Sequence, residues 1–301
     1  MPGNNIKSVL AFDLDGTLTP RNQFEIHPQG LSDLLNFLDK LSHLVIPVTG
    51  KPASYAENIF KVNSLENRGI IAENAGVFRR PGNKQVEVYG PNLEEIKKLR
   101  DILDVGMEKV NVTKIKLFGK KYEVSIDPGD VSILTVFTDP SYVRHRWIFN
   151  HEIQANELVE KLKVIIENNK WNNNLEVLPP FPDGGVQVIR KDPKTGKSID
   201  KSSIIQNLKT MYPNLGKVPI AMFGDGHNDI PAMKPDEVIP VTFSNAHDEV
   251  IAFVKSKKGY VSNYEAPEGK GVVDGIDWLA EKDFFREDKR LIKDKINGLF
   301  S

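Results

Sequence analysis

Two aspartates, Asp13 and Asp15, stand two residues apart at the end of an apolar run and are followed at once by Gly16-Thr17. A strand ending at Asp13 turns successive side chains to opposite faces. A loop beyond the strand lets both carboxylates converge on one point. Open α/β sheets bind their ligands at that edge. Two acids there, with a glycine that lets the backbone approach a ligand, suit a cation and an anionic substrate. Taken alone, Asp-x-Asp serves as well in a solvated turn or at a helix N-cap.

Three further segments decide between these readings. Thr49-Gly50-Lys51 follows the apolar run 44–48, and Gly224-Asp225-Gly226-His227-Asn228-Asp229 follows the run 219–223. Lys201 opens a helix, with Asp200 before it as N-cap. In a parallel sheet these ends share one edge. Asp13, Asp15, Asp225 and Asp229 then gather with one lysine and one threonine hydroxyl. Crowded carboxylates raise each other's pKa, and a hard divalent cation resolves the conflict. Carboxylate, carbonyl and water ligands without thiolate suit Mg²⁺, which shares ligation with a substrate phosphate. Lys201 and Thr49 would hold the other phosphate oxygens, and an aspartate can take up the phosphoryl group as a nucleophile.

The elements needed to position these groups can be read from periodicity. Residues 9–12 form a short buried strand. Leu31, Leu34, Leu35, Leu38 and Leu41 recur at helical spacing over 28–42. Strand 44–48, helix 53–61 and strand 69–72 follow. This alternation predicts a parallel sheet with crossover helices. From about 84 to 195 the pattern changes to locally pairing strands, such as 122–126, 131–137 and 185–189, with helices near 92–104 and 152–168. That predicts a smaller α+β unit inserted into the first. The alternation returns with helix 199–209, strand 219–223, helix 228–233, strand 238–242 and helix 247–253. Residues 281–301 predict a charged helix covering an edge of the sheet. The fold class is therefore α/β: a doubly wound, Rossmann-like core over 1–83 and 196–301, with an inserted α+β cap over 84–195.

Composition narrows the chemistry further. The 301 residues carry 40 Lys+Arg against 41 Asp+Glu, which gives no electrostatic case for nucleic acid or a membrane surface. There is no cysteine, so thiolate nucleophiles and Cys-ligated metals are excluded. No apolar run is long enough to span a bilayer. The polar start, residues 1–7, lacks the apolar stretch of a signal peptide, so the cytoplasm is the expected compartment.

The Asp13-Leu14-Asp15-Gly16-Thr17 motif, the Thr49 strand end, Lys201 and the segment 224–229, in that order, resemble the four motifs of haloacid dehalogenase-like phosphatases. An insertion between the second and third motifs resembles the type 2 cap subclass. Glu73-Asn74-Ala75-Gly76, Ser244-Asn245-Ala246 and Glu268-Gly269-Lys270-Gly271-Val272 are similar to segments of its Cof-type sugar-phosphate phosphatases. The resemblance covers most of residues 8–280. It implies Asp13 as nucleophile and Mg²⁺ ligand, and Asp15 as general acid/base that also offers its backbone carbonyl to the metal. It implies Thr49 and Lys201 on the phosphoryl group, and Asp225 and Asp229 in the metal shell. Gly50, Lys51, Asn74, Asn228 and Asn245 would meet the substrate, a small phosphorylated metabolite. Lys51 stands where many relatives carry Arg.

Other readings stay open at this point. Residues 19–23 also resemble phosphomannomutases, which share this core and cap type. A non-catalytic sugar-phosphate binder is a third reading, although it has no use for an acid/base pair. Asn74 and Asn245 serve as well in left-handed turns, and Asn228 as a residue at a helix start. In the insertion, Arg144, His145 and Arg146 beside Trp147 read as a solvated basic face before a substrate contact, and 179–185 as a turn before a loop over the site. The chain is expected as a monomer or homodimer.

Overall fold

Short strands that are apolar on both faces belong in a parallel sheet covered on both sides. The computed structural model describes residues 6–21, 23–27, 29–90, 94–103, 111–117, 120–127, 134–137, 151–179, 185–192 and 195–299. In it β1 (Ser8–Phe12) and β2 (His43–Pro47) are buried throughout. Helix α1 (Gln29–Lys40) joins them and buries Leu31, Leu34, Leu35 and Leu38. Helix α2 (Ala53–Val62) follows β2 and buries Ala53, Ala56, Ile59 and Phe60. Then come β3 (Ile70–Ala72), β4 (Val77–Arg79), β5 (Glu87–Val88), α3 (Glu94–Ile102), β6 (Asn111–Leu117), β7 (Lys120–Asp127) and β8 (Leu134–Phe137). Next are α4 (His151–Asn168), β9 (Leu175–Val177), β10 (Gly185–Arg190), α5 (Ile204–Met211), β11 (Ile220–Phe223), α6 (Ile230–Met233) and β12 (Val238–Thr242). The last elements are α7 (Asp248–Ser256), β13 (Tyr260–Val261), α8 (Lys270–Glu281) and α9 (Lys289–Asn297).

The central sheet runs β13-β12-β11-β1-β2, with every pair parallel. Its helices cover both faces, so the fold class read from the sequence is the fold of the chain. In the register, Phe12 of β1 faces Phe223 of β11 on one side and Pro47 of β2 on the other. Asp13, Gly224 and Val48 therefore leave the sheet side by side. Because β1 is followed on one flank by β2 and paired on the other with β11, this edge is the switch point at which such sheets open a crevice. The Phe12 and Phe223 rings stack beneath it with centroids 4.5 Å apart.

Residues 69–72 were expected to extend the parallel sheet. A parallel bridge between Val48 and Ile71 and the hydrogen bond from Thr49 N to Ile71 O (3.0 Å) do set β3 alongside the end of β2. Its ladder, however, is antiparallel with β4, in a sheet ordered β3-β4-β5. Between β3 and β4, Glu73, Asn74 and Ala75 all have positive φ and fold the chain back on itself. Strand β13 was not anticipated, since two residues cannot display an alternation. At the C-terminus α9 packs on α8 and α1 and buries Ile292 and Ile296.

The chain divides into two compact units, residues 1–87 with 200–301, and residues 88–199. The second has a five-stranded sheet ordered β6-β7-β8-β10-β9, antiparallel throughout. Ile96 and Leu99 of α3, Leu158 and Leu162 of α4, and Val186 and Val188 of β10 share its core. Among the described residues no helix is long and apolar enough to cross a membrane.

Candidate active site

The Asp13 motif leaves β1 through a tight turn. Asp13 N donates to Phe223 O at 2.9 Å, which keeps the residue in line with the sheet. Thr17 N and Thr19 N both donate to Leu14 O, and Gly16 N donates to Thr19 O at 2.8 Å. Leu14 and Leu18 are wholly buried and anchor the turn from below. Gly16 has φ +87°, and a Cβ there would lie 2.4 Å from Asp225 Oδ2. Both the backbone and the space therefore require glycine. Thr17 Oγ1 donates to Asp225 Oδ1 at 3.1 Å, so the first motif positions the fourth.

The charges meet beneath this turn. Lys201 enters from a single 3₁₀ turn ahead of α5, started by Asp200, whose Oδ1 accepts from Ser202 N at 2.9 Å. The lysine is fully buried. Its Nζ donates to Asp13 Oδ1 and to Asp229 Oδ1, each at 2.6 Å. Asp229 Oδ2 also accepts from Gly226 N at 2.9 Å. One carboxylate oxygen from each of Asp13, Asp225 and Asp229 lies within 4.8 Å of the others. Burial, then the Asp229 charge, pushes the Asp13 carboxyl well above the usual carboxylate range. Burial and the Asp13 charge push Asp225 up to about 6, against the opposing pull of Arg21. Burial raises Asp229 against Lys201, and the Asp225 charge adds to the rise. Burial works against the Lys201 ammonium, but the two carboxylates outweigh it and hold the group above its ordinary range. Three buried carboxylates against one ammonium is a donor set that fits a hard dication bound through oxygen.

A second group of residues meets above β2. Thr49, buried, accepts from Lys51 N through Oγ1 at 3.1 Å, and its carbonyl accepts from Asn74 N at 3.0 Å. A Cβ on Gly50 would stand 3.0 Å from Asn74 Oδ1 and 3.6 Å from Asn228 Nδ2. The structure thus brings Gly50, Asn74 and Asn228 together. Three consecutive left-handed residues, Glu73 to Ala75, are rarely found outside functional sites, where surrounding contacts hold them. Here Lys51 O accepts from Glu73 N at 3.0 Å, and the buried Asn207 donates through Nδ2 to Ala75 O at 3.0 Å.

Asp15 is held from the side of α2 and the 49–52 loop. The Tyr55 hydroxyl donates to Asp15 Oδ1 at 2.8 Å, and Lys51 Nζ lies 3.7 Å from Oδ2. Asn245 is held by two backbone groups. Its Nδ2 donates to Gly16 O at 3.0 Å and its Oδ1 accepts from Ala266 N at 2.8 Å, so its amide braces the Asp15-Gly16 turn. Sequence reasoning missed Tyr55 and Asn207 altogether. It met Thr17 only as part of the first motif, and Arg21, whose Nη2 lies 3.5 Å from Asp225 Oδ2, only inside the mutase-like segment. Tyr55 lies four residues beyond Lys51, and that spacing was its one signal. Arg144, His145, Arg146, Trp147 and residues 180–184 lie outside the described residues.

The haloacid dehalogenase-like hydrolase family matches the chain over residues 10–264, well over half its length, and the chain belongs to that family. A haloacid dehalogenase-like hydrolase from Bacteroides thetaiotaomicron is similar in structure, with a TM-score of 0.60 at 16% identity, covering 90% of this chain and 99% of that one. A Thermotoga maritima protein aligns with a TM-score of 0.57 at 19% identity, over 88% of this chain and 94% of its own. A second Bacteroides thetaiotaomicron protein, described among haloacid dehalogenase-superfamily phosphatases, aligns with a TM-score of 0.55 at 16% identity, over 93% and 95%. At these identities the likeness is one of fold. No curated protein sequence matches the chain significantly.

Proposed function

We propose that this hydrolase is a Mg²⁺-dependent phosphatase acting on a small phosphate monoester, with a phosphorylated sugar as the leading substrate class. The observation that carries this reading is Lys201, fully buried, with Asp13 and Asp229 each 2.6 Å from its Nζ and Asp225 beside them. A buried ammonium among three carboxylates suits a phosphoryl group that must share the site with a nucleophilic aspartate. Phosphoryl transfer asks chiefly for positioning and for neutralisation of charge on the equatorial oxygens.

Asp13, Asp225 and Asp229 would hold the metal, with the Asp15 carbonyl. Bound there, Mg²⁺ supplies charge stabilisation on the phosphoryl oxygens and screens the nucleophile from the anion it attacks. The residues do the rest. An Asp13 carboxylate oxygen forms a bond to phosphorus as the bond to the ester oxygen breaks. The leaving oxygen takes the electron pair and receives its proton from Asp15. Asp15, now a base, takes a proton from water, whose oxygen displaces Asp13 from the phosphoryl group. Lys201 and Thr49 neutralise and orient that group in both steps. Gly50, Lys51, Asn74 and Asn228 line the approach to it.

A panel of phosphate monoesters tests the reading. The purified protein with Mg²⁺ should release inorganic phosphate from a phosphorylated sugar, and Asp13→Asn should abolish release. Isomerisation of a sugar 1-phosphate to the 6-phosphate without free phosphate would replace hydrolase by mutase. Binding without turnover anywhere on the panel would reduce the protein to a sugar-phosphate binder.

A further inference from the structure

We propose that Tyr55 is a positioning residue that fixes the Asp15 carboxylate for proton transfer, an inference that rests on the phosphatase reading above. The Tyr55 hydroxyl donates to Oδ1 of Asp15 at 2.8 Å. Lys51 Nζ lies 3.7 Å from Oδ2. The Tyr55 bond therefore restrains the rotamer from which Asp15 delivers its proton.

Asp15 needs such a partner because of where it sits. Its neighbour Asp13 leaves straight off β1, buried and locked by Lys201. Asp15 lies in the turn, and its side chain retains 18% exposure. A partly exposed carboxylate explores its staggered rotamers unless something holds it. A general acid must lie within hydrogen-bond reach of the oxygen it protonates, and displacement by about 1 Å can cost on the order of 100-fold.

Tyr55 is well placed to hold it. The ring projects from the first turn of α2, whose Ala53 and Ala56 are buried in the core, and Tyr55 N donates to Pro52 O at 3.1 Å. The Phe24 ring packs on it at 5.2 Å between centroids, and Lys51 Nζ lies 5.6 Å from its centroid on another side. A tyrosine carries few rotatable bonds, so a packed ring delivers its hydroxyl to a fixed point. The same loop, 49–52, that presents Thr49 and Gly50 thus begins the helix that orients the acid.

Tyr55→Phe removes the hydroxyl and keeps the ring. The test compares kcat/KM for a simple alkyl phosphate and for p-nitrophenyl phosphate. That ratio reports only the steps through formation of the aspartyl-phosphate. An alkoxide leaves poorly and needs the acid, whereas p-nitrophenolate leaves well without it. We expect kcat/KM for the alkyl phosphate to fall by about 10- to 100-fold, and that for p-nitrophenyl phosphate by less than about 3-fold. The melting temperature should stay within a few degrees of the parent. Phe24→Leu, which loosens the ring from an exposed position, should give a smaller change with the same leaving-group bias, and it carries the test alone if Tyr55→Phe does not fold. Equal losses on both esters, or none on either, would overturn the role. If the parent is inactive on these two esters, the phosphorylated sugar it hydrolyses best takes the place of the alkyl phosphate, and a parent inactive across the whole panel would overturn the phosphatase reading instead.

Discussion

Lys201 Nζ is shared evenly between Asp13 and Asp229, at 2.6 Å from an oxygen of each, in a pocket that leaves the lysine no exposure. The two carboxylates come from the first and the last of the four sequence motifs, and the ammonium is the charge that lets them lie together. Lys201→Met keeps the length of the side chain and removes the charge. Breaking a buried ion pair by deleting one partner costs about 3–5 kcal/mol. Loss of one preorganised group aimed at the transition state costs roughly 100- to 1,000-fold in rate. The metal-free variant should melt well below the parent, with turnover reduced by at least about 100-fold. Unchanged melting in chelator would show that the ion pair does not hold the site.

The same carboxylates predict a response to metal that needs no substrate. A ligand at 100 times its dissociation constant stabilises the folded state by about 2.7 kcal/mol. Mg²⁺ should therefore raise the melting temperature of the chelator-treated protein. Asp225→Asn, which neutralises the carboxylate that Thr17 positions, should abolish most of that rise. Calorimetric titration with Mg²⁺ is the direct check, and equal affinity in parent and variant would remove Asp225 from the metal site.

Much of this site was legible in the sequence, for physical reasons that also explain what was not. β1, β2, β11 and β12 are buried on nearly every residue, so they read as plain apolar runs, and each run ends at a polar group. Parallel register then carries Asp13 and Asp225 to one edge without any knowledge of the loops. The antiparallel pairing of β3 with β4 was not legible, because the left-handed run 73–75 turns the chain back and no apolar pattern reports φ. The two backbone bonds of Asn245 were not legible, because an amide after a strand reads alike whatever it meets. Tyr55 offered only its spacing from Lys51, because its contact with Asp15 depends on how α2 lies against the turn.

Gly16 ties the turn to the Asp225 carboxylate more tightly than a turn glycine alone would. Its φ of +87° strains any side chain, and its Cβ would fall 2.4 Å from Asp225 Oδ2. A non-glycine residue held in that region costs on the order of 1–3 kcal/mol. Asp225 must also move, and with it the bond to Thr17. Gly16→Ala should lower stability by about that amount and weaken Mg²⁺ binding together. A variant destabilised with full Mg²⁺ affinity would show that the turn, and not Asp225, absorbs the methyl group.

At the opposite end of the sheet, His43 should give the protein a pH-dependent stability of its own. Its ring is buried, Nδ1 pairs with Ser8 Oγ at 2.8 Å, and Nε2 lies 3.3 Å from Asp288 Oδ2. Burial lowers its pKa from 6.5 to about 4, because the imidazolium is poorly solvated; Asp288 opposes the shift and Lys7 adds to it. The unfolded chain therefore takes up a proton below 6.5 that the folded protein refuses until about 4. The stability from neutral His43 is complete above 6.5 and is lost as the pH falls toward 4. Asp13 and Asp225 work the other way, since their raised folded pKa values favour the folded state as they protonate. A comparison with His43→Gln, which keeps an acceptor for Ser8, isolates the histidine. Between about pH 7.5 and about pH 5, the parent should lose about 2 kcal/mol relative to the variant in urea unfolding. Parallel pH profiles for the two proteins would show that folding leaves the His43 pKa unshifted.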